Sequence, residues 1–179
     1  MSTPTIQNVV STITLHPIFD LKFLSKQLEN AKSTALLFAN GRLVCVGTKS
    51  SKQALEASKI FARQIAKIQP TTIREGTFKV QNVVASFKFP KTLNLPALYD
   101  TLRIYPPEWL APYISFNQEL FPGMCLRIKN TSIVLLLFTT GKCVITGGKK
   151  EEDIYKISNN IFETIAMVTK KFGDNYFLS

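Results

Sequence analysis

Acidic residues are scarce in this chain: 12 Asp and Glu stand against 22 Lys and Arg in 179 residues, for a formal charge of +10. That balance favours anionic partners, nucleic acid above all. The sequence shows no paired carboxylates, no phosphate-binding glycine loop and no nucleophile beside a base, so it reads as no enzyme. The single histidine, His16, has no cysteine or carboxylate cluster around it and reads as structural. Cysteines number three, Cys45, Cys125 and Cys143, which cannot all pair internally and show no metal spacing. They read as reduced core thiols of an intracellular protein. No apolar run reaches the roughly 18 residues of a membrane span, and the N-terminus lacks a charged, then apolar, signal pattern. Low-complexity tracts are also missing, as expected of a folded chain long enough to bury a substantial core.

What the chain does have is an internal duplication. Thr5-Ile6-Gln7-Asn8-Val9-Val10 returns as Lys79-Val80-Gln81-Asn82-Val83-Val84, at an offset of 74. Asp20 with Leu21, Leu24 and Leu28 returns at that offset as Asn94 with Leu95, Leu98 and Leu102. Ala35-Leu36-Leu37-Phe38, then Gly41, Val44 and Gly47, returns as Leu135-Leu136-Leu137-Phe138, then Gly141, Val144 and Gly147, now at an offset of 100. The stripe Ala54, Ala57, Phe61, Ile65, Ile68 likewise recurs as Ile154, Ile157, Ile161, Ile165, Val168. The difference between the offsets gives the second copy 26 residues, roughly 105–130, that the first copy lacks.

Each copy predicts strand, helix, strands, helix. Thr5–Leu15 is rich in Val, Ile and Thr, and Asp20 caps a short helix to about Asn30. Thr34–Ala39 and Arg42–Thr48 form a hairpin, with Asn40-Gly41 supplying the positive φ values of its tight turn. Ser50 or Ser51 opens a helix to about Ile68, whose Lys52, Glu56, Lys59, Arg63 and Lys67 face solvent. The second copy repeats the plan with Glu151–Lys171 as its long helix, and Gln69-Pro70-Thr71-Thr72 is the junction. The division is therefore 1–70 and 71–179, two halves of one domain.

Strand alternation sets Leu36 and Phe38 against Ala35 and Leu37, and Leu136 and Phe138 against Leu135 and Leu137, so both faces of each strand are apolar. Helices can cover one face of such a sheet; the other is left as a binding surface or a dimer interface. Parity adds Asn8, Val10, Asn82, Val84, Val44, Val46, Val144 and Thr146 to that face. Apolar side chains with two amides suit a groove poor in polar information, such as the minor groove, where A·T and T·A present only acceptors.

Gln-Asn-Val-Val, Glu119-Leu120-Phe121-Pro122-Gly123, Ile133-Val134-Leu135-Leu136-Leu137-Phe138 and Thr146-Gly147-Gly148-Lys149 resemble the core of the TATA-box-binding protein family, over about Thr5 to Lys171. The resemblance implies an α+β fold: two pseudo-symmetric repeats forming a curved antiparallel sheet, a saddle, with helices on the convex face. It implies a nuclear general transcription initiation factor that binds A·T-rich promoter DNA without cofactor or metal. This family is itself the known example of minor-groove wedging and bending. By matching position, Asn8 and Asn82 would donate to base acceptors, and Val10, Val84, Leu36, Leu136, Val44, Val144 and Thr146 would pack on the groove floor. Phe121 and Phe138 resemble a wedge pair, and Phe38 one member of a second pair. Arg42, Lys49, Arg127, Lys142 and Lys149 would meet phosphates. Gln118, Glu119 and Leu120 would meet a transcription factor IIB-like protein. Partners similar to factor IIA and to the associated factors of this family are also implied, and a homodimer could close the face when DNA is absent.

The departures are specific. The family's first repeat carries a strand-and-stirrup segment with a second wedge Phe, two arginines and contacts for factor IIA, whereas this chain passes from Asn30 to Ser33-Thr34-Ala35. Val46 stands where the family usually has Thr. Tyr105 to Gln118, with Pro106-Pro107, Trp109 and Pro112, is longer than the family's equivalent. An alternative reading is a related regulator that keeps the fold and acts mainly through protein contacts.

Overall fold

The computed structural model describes residues 3–16, 19, 33–173 and 176–178. The helix expected from Asp20 to Asn30 lies outside the described residues. By packing the chain forms two units, one of Ile6–Val83 and one of Val84–Ser179 with Met1–Thr5.

In the first unit, β1 (Thr5–His16) pairs antiparallel with β3 (Arg42–Thr48), and β3 pairs antiparallel with β2 (Thr34–Leu37). A bulge between Val9 and Ser11 breaks the register of β1. Beyond it Ile13 lies opposite Leu43, and both pack with Leu15 against Ala62 and Ile65 of helix α1 (Ser51–Ala66). Ser50 caps α1 by accepting from Gln53 N, and Gln53 Oε1 accepts from Lys49 N in return. The buried row of α1 is Ala54, Ser58, Ala62, Ile65, displaced from the expected Ala57 and Phe61. Ser58 tolerates burial because its hydroxyl donates to Ala54 O within the helix (2.8 Å). Phe61 and Ile68 still pack on the core, half-buried.

The β2–β3 turn differs from the expected one. Gly41 alone takes a positive φ (83°), while Asn40 does not. Gly41 N donates to Phe38 O and Phe38 N donates to Arg42 O, so the loop has three residues with glycine in the left-handed position. Asn40 contributes through its side chain, which accepts from Arg42 N.

Residues 71–83, assigned to the second repeat by sequence, pack with the first unit. The short β4 (Thr72–Ile73) pairs with β1 at Leu15 and His16, and Thr77 Oγ1 accepts from Thr14 N. Sequence repeat and packing unit thus part company, because this segment pairs with the end of β1. Strand β5 (Lys79–Lys88) contains the boundary.

The second unit's sheet runs in the order β5, β10 (Lys142–Gly148), β9 (Val134–Phe138), β8 (Gly123–Ile128), β7 (Leu110–Ser115). The extra residues, roughly 105–130, supply β7 and β8, which the described residues of the first unit do not match. Helix α2 (Leu95–Ile104), capped by Asn94, packs on β7 and β8, and α3 (Glu151–Phe172) packs on β10. Ile154, Ile157, Ile161, Ile165 and Val168 are all buried, as their spacing predicts. Glu151, Glu152 and Asp153 sit in the first turn of α3, where its dipole favours negative charge. Trp109 Nε1 donates to Thr164 Oγ1 of α3, anchoring the extra segment. The pairing of β6 (Thr92–Leu93) with β11 (Phe177–Leu178) ties the end of the chain to the start of α2.

The cysteines divide. Cys45 and Cys143 are buried, and burial pushes both thiols up, keeping them protonated. Cys125, expected in the core, is half-buried: it lies opposite Leu136 on the sheet face away from the buried Leu135 and Leu137.

Candidate nucleic-acid interface

Each unit presents a half-exposed apolar strip on its sheet, and the register shows how the strip is built. In the second unit Leu136 of β9 stands between Val144 of β10 and Cys125 of β8. Val134 stands between Thr146 and Arg127, and Phe138 lies opposite Gly123. Directly paired residues share a face, so Phe138, Leu136, Val134, Val144 and Thr146 form one surface. Arg127 lies at one end and Lys142 at the other, both exposed. The alternating residues Leu135, Leu137, Cys143 and Ile145 are fully buried. Val84 of β5 is half-buried.

Phe121 comes to this strip from the loop before β8. Its ring meets that of Phe138 edge to face, with centroids 5.7 Å apart and planes at 62°. The loop is held by Asn117, whose carbonyl accepts from Leu120 N and Phe121 N and whose Oδ1 accepts from Glu119 N. Asn117 was not legible as a positioning residue, since its role is to shape a turn four residues from the ring it serves. Gln118, Glu119 and Leu120 lie on the outside of this turn, with Leu120 84% exposed. Gly123 leaves room for the ring pair: a Cβ there would sit 2.9 Å from Phe121 Cε1 and 3.1 Å from Phe138 Cε1.

In the first unit Leu36 lies opposite Val44, and Val44 opposite Thr12. Leu36 and Phe38 are about half exposed, while Ala35 and Leu37 pack on the core. Val10, Val46 and Asn82 are half-buried, and Arg42 and Lys49 are exposed, as is Lys149 in the second unit.

Asn8 is oriented by a contact that sequence reading missed. Its Oδ1 accepts from Gly47 N at 2.8 Å, which fixes the amide plane and turns its NH2 group away as the donor. Gly47 has φ +94°, a conformation that side-chain-bearing residues rarely adopt, so the glycine orients the amide. The two units also differ in the position of a hydroxyl. Thr34 lies opposite Val46 in the first, whereas Val134 lies opposite Thr146 in the second. The Thr absent from position 46 thus has a counterpart directly across the strand pair.

A family model described as transcription factor TFIID, or TATA-binding protein, matches residues 22–68 and 77–168. The chain belongs to the TATA-binding-protein family. TATA-box-binding protein 1 of Arabidopsis thaliana is 36% identical over 187 residues, covering 93% of this chain and 88% of that protein. TATA-box-binding protein 1 of Triticum aestivum is also 36% identical, over 93% of this chain and 75% of its own length. The solved structure of the Methanococcus jannaschii TBP superposes with a TM-score of 0.72 at 28% identity, covering 93% of this chain and all of that one. The fold is therefore that of the TATA-binding proteins, α+β with a largely antiparallel sheet, and the family role is that of a general transcription factor.

Proposed function

We propose that this protein is a nuclear general transcription initiation factor that binds A·T-rich, TATA-like promoter DNA in the minor groove, bends it and nucleates assembly of the initiation complex. The observation that carries the reading is the second unit's apolar strip, ended by the Phe121–Phe138 ring pair and flanked by Arg127 and Lys142. An apolar floor between cations suits a groove that offers few polar cues between two phosphate walls. A gel shift on an A·T-rich duplex, with and without competitor, tests it: selective retention is expected.

A second reading, a regulator working through protein contacts, is favoured by one feature. In the first unit β2 pairs with β3 alone among the described residues. The same gel shift separates the two, since that reading expects no shift.

Asn82 tests the base-contact assignment. Asn82→Asp places a carboxylate against groove acceptors, and affinity should fall by at least the ~1–3 kcal/mol of a lost base contact. Unchanged affinity in a fluorescence titration removes Asn82 from the site.

The exposed turn before Phe121 fits a factor IIB-like partner. Glu119→Arg should abolish recruitment of that factor to preformed DNA complexes while DNA binding survives, because the turn that holds the ring uses only the backbone N–H of Glu119, a residue that is otherwise exposed. Normal recruitment in a pull-down would place the partner surface elsewhere.

A further inference from the structure

The outer edge of β2 is open where its counterpart in the second unit is filled. Strand β9, which repeats β2 at an offset of 100, pairs on one side with β10 and on the other with β8. Among the described residues β2 pairs with β3 alone. The difference reaches the core. Leu135 and Leu137 are fully buried, and so are Leu126 and Met124 of β8 opposite them. Ala35 and Leu37, at the matching positions, are only half-buried.

The backbone of this edge is set for another strand. Phe38 N donates to Arg42 O, and bonding alternates along an antiparallel pair. Leu36 and Thr34 therefore also bond to β3, while the N–H and C=O groups of Ala35 and Leu37 point outward. Phe19 N donates to Ala39 O near the turn without closing the edge, because the equivalent bond in the second unit, Leu93 N to Thr139 O, stands beside an edge that β8 occupies. Edge strands are ordinarily blunted by charge, proline or a bulge. Strand β7, outermost in the second unit, has Pro112 and a register shift between Leu110 and Ile114. Strand β2 has none of these: Thr-Ala-Leu-Leu is uncharged, and its register with β3 is continuous.

We propose that β2 pairs antiparallel with β2 of a second copy of this chain, about a twofold axis between the two Leu36 residues. The strand suits itself in that register. Ala35 and the partner's Leu37 exchange both of their outward hydrogen bonds, as do Leu37 and the partner's Ala35, so every open group of these residues is used. Each Leu37 then lies across from an alanine on the core side, large against small, and the two Leu36 side chains meet on the other side. A chain of charge +10 repels its copy over most of its surface, but this strand brings no charge to the contact. A strand of another protein would satisfy the same hydrogen bonds, yet uncharged β2 offers nothing to select it, whereas a twofold pair needs only self-complementarity. The contact is short, so the association is weak and concentration-dependent.

Sedimentation equilibrium of the intact protein over a dilution series should show monomer passing to dimer. The amide protons of Ala35 and Leu37 should exchange more slowly as concentration rises, while that of Leu36, already bonded to β3, is unchanged. Ala35→Pro removes an outward donor and no bond to β3, at an edge position that tolerates proline, and should sediment as monomer. Leu36→Cys tests the register without altering the backbone. With oxidised glutathione it should form a disulfide-linked dimer, since Cβ atoms of directly paired residues lie roughly 5 Å apart. Unaltered protein and Lys67→Cys, exposed at the end of α1, should not. Monomer at every concentration with both amides exchanging fast overturns the proposal and leaves the edge to a strand of another protein. Slow exchange of both amides at every dilution shows that the chain covers its own edge, which also overturns it. A dimer that survives Ala35→Pro and is dispersed by an A·T-rich duplex places the contact on the apolar strip instead, and the proposal fails.

Discussion

Phe138→Ala should reduce DNA bending more than Phe38→Ala. Parting a base step costs a few kcal/mol, which apolar side chains offset only by filling the gap they open. The second unit offers two rings for this, Phe121 and Phe138, packed edge to face at 5.7 Å. On the proposed reading, losing Phe138 would remove half of the wedge and the ring that Phe121 packs against. In the first unit Phe38, 47% exposed just past the end of β2, has no ring packed against it as Phe121 packs on Phe138 among the described residues. The bend should accordingly be unequal, sharp at the DNA end gripped by the second unit and shallow at the other. End-to-end fluorescence transfer on a labelled duplex, with a base-unstacking probe placed at each end in turn, measures this. Equal unstacking at both ends would show that another residue replaces the missing ring.

Gly123→Ala should impair the same kink although it removes no side chain from the interface. Gly123 lies opposite Phe138 in the β8–β9 register, and an added Cβ would meet both rings and also the carbonyl oxygen of Leu137 at 2.9 Å. The ring contacts could relax by side-chain rotation; the backbone contact cannot, so β8 must shift against β9. Overpacking of this kind costs roughly 1–3 kcal/mol, and the price in geometry falls on the wedge pair. The variant should fold with a lowered melting temperature and lose unstacking at the second unit's end while retaining binding to the other half of the site. Normal unstacking in Gly123→Ala would mean that the rings do not depend on the space beneath them.

The strands and their exposed residues were legible because parity is a local property. Parity sets Leu36, Phe38, Leu136 and Phe138 on the opposite side of their strands from Ala35, Leu37, Leu135 and Leu137 without knowledge of the neighbours, although with both sides apolar it does not say which one is buried. The Asn94 cap and the Ile154-to-Val168 stripe were legible for the same reason. What stayed hidden depends on residues far apart in the chain. The orientation of Asn8 is set 39 residues away by Gly47, and the donor at Thr12 by Gln81, 69 residues on. Cys125 was misplaced because a lone cysteine reads as core until its cross-strand partner is known. The buried row of α1 was misread because Ser58 counts as polar in a pattern but satisfies its hydroxyl inside the helix. Pro106, Pro107 and Pro112 disguised a strand, β7, which lies at the edge of its sheet, where proline is tolerated.

The exchange of Thr34 and Val46 for Val134 and Thr146 has a consequence for direction. A protein made of two equal copies would sit on a self-complementary A·T tract in either orientation with the same free energy. Here one copy carries its hydroxyl on the outer strand of the pair and the other on the inner one. Turning the protein around would therefore present a hydroxyl to a base edge that had faced a methyl group. On the proposed reading the two orientations would not be equivalent, and a molecule built by duplication would have a forward and a reverse.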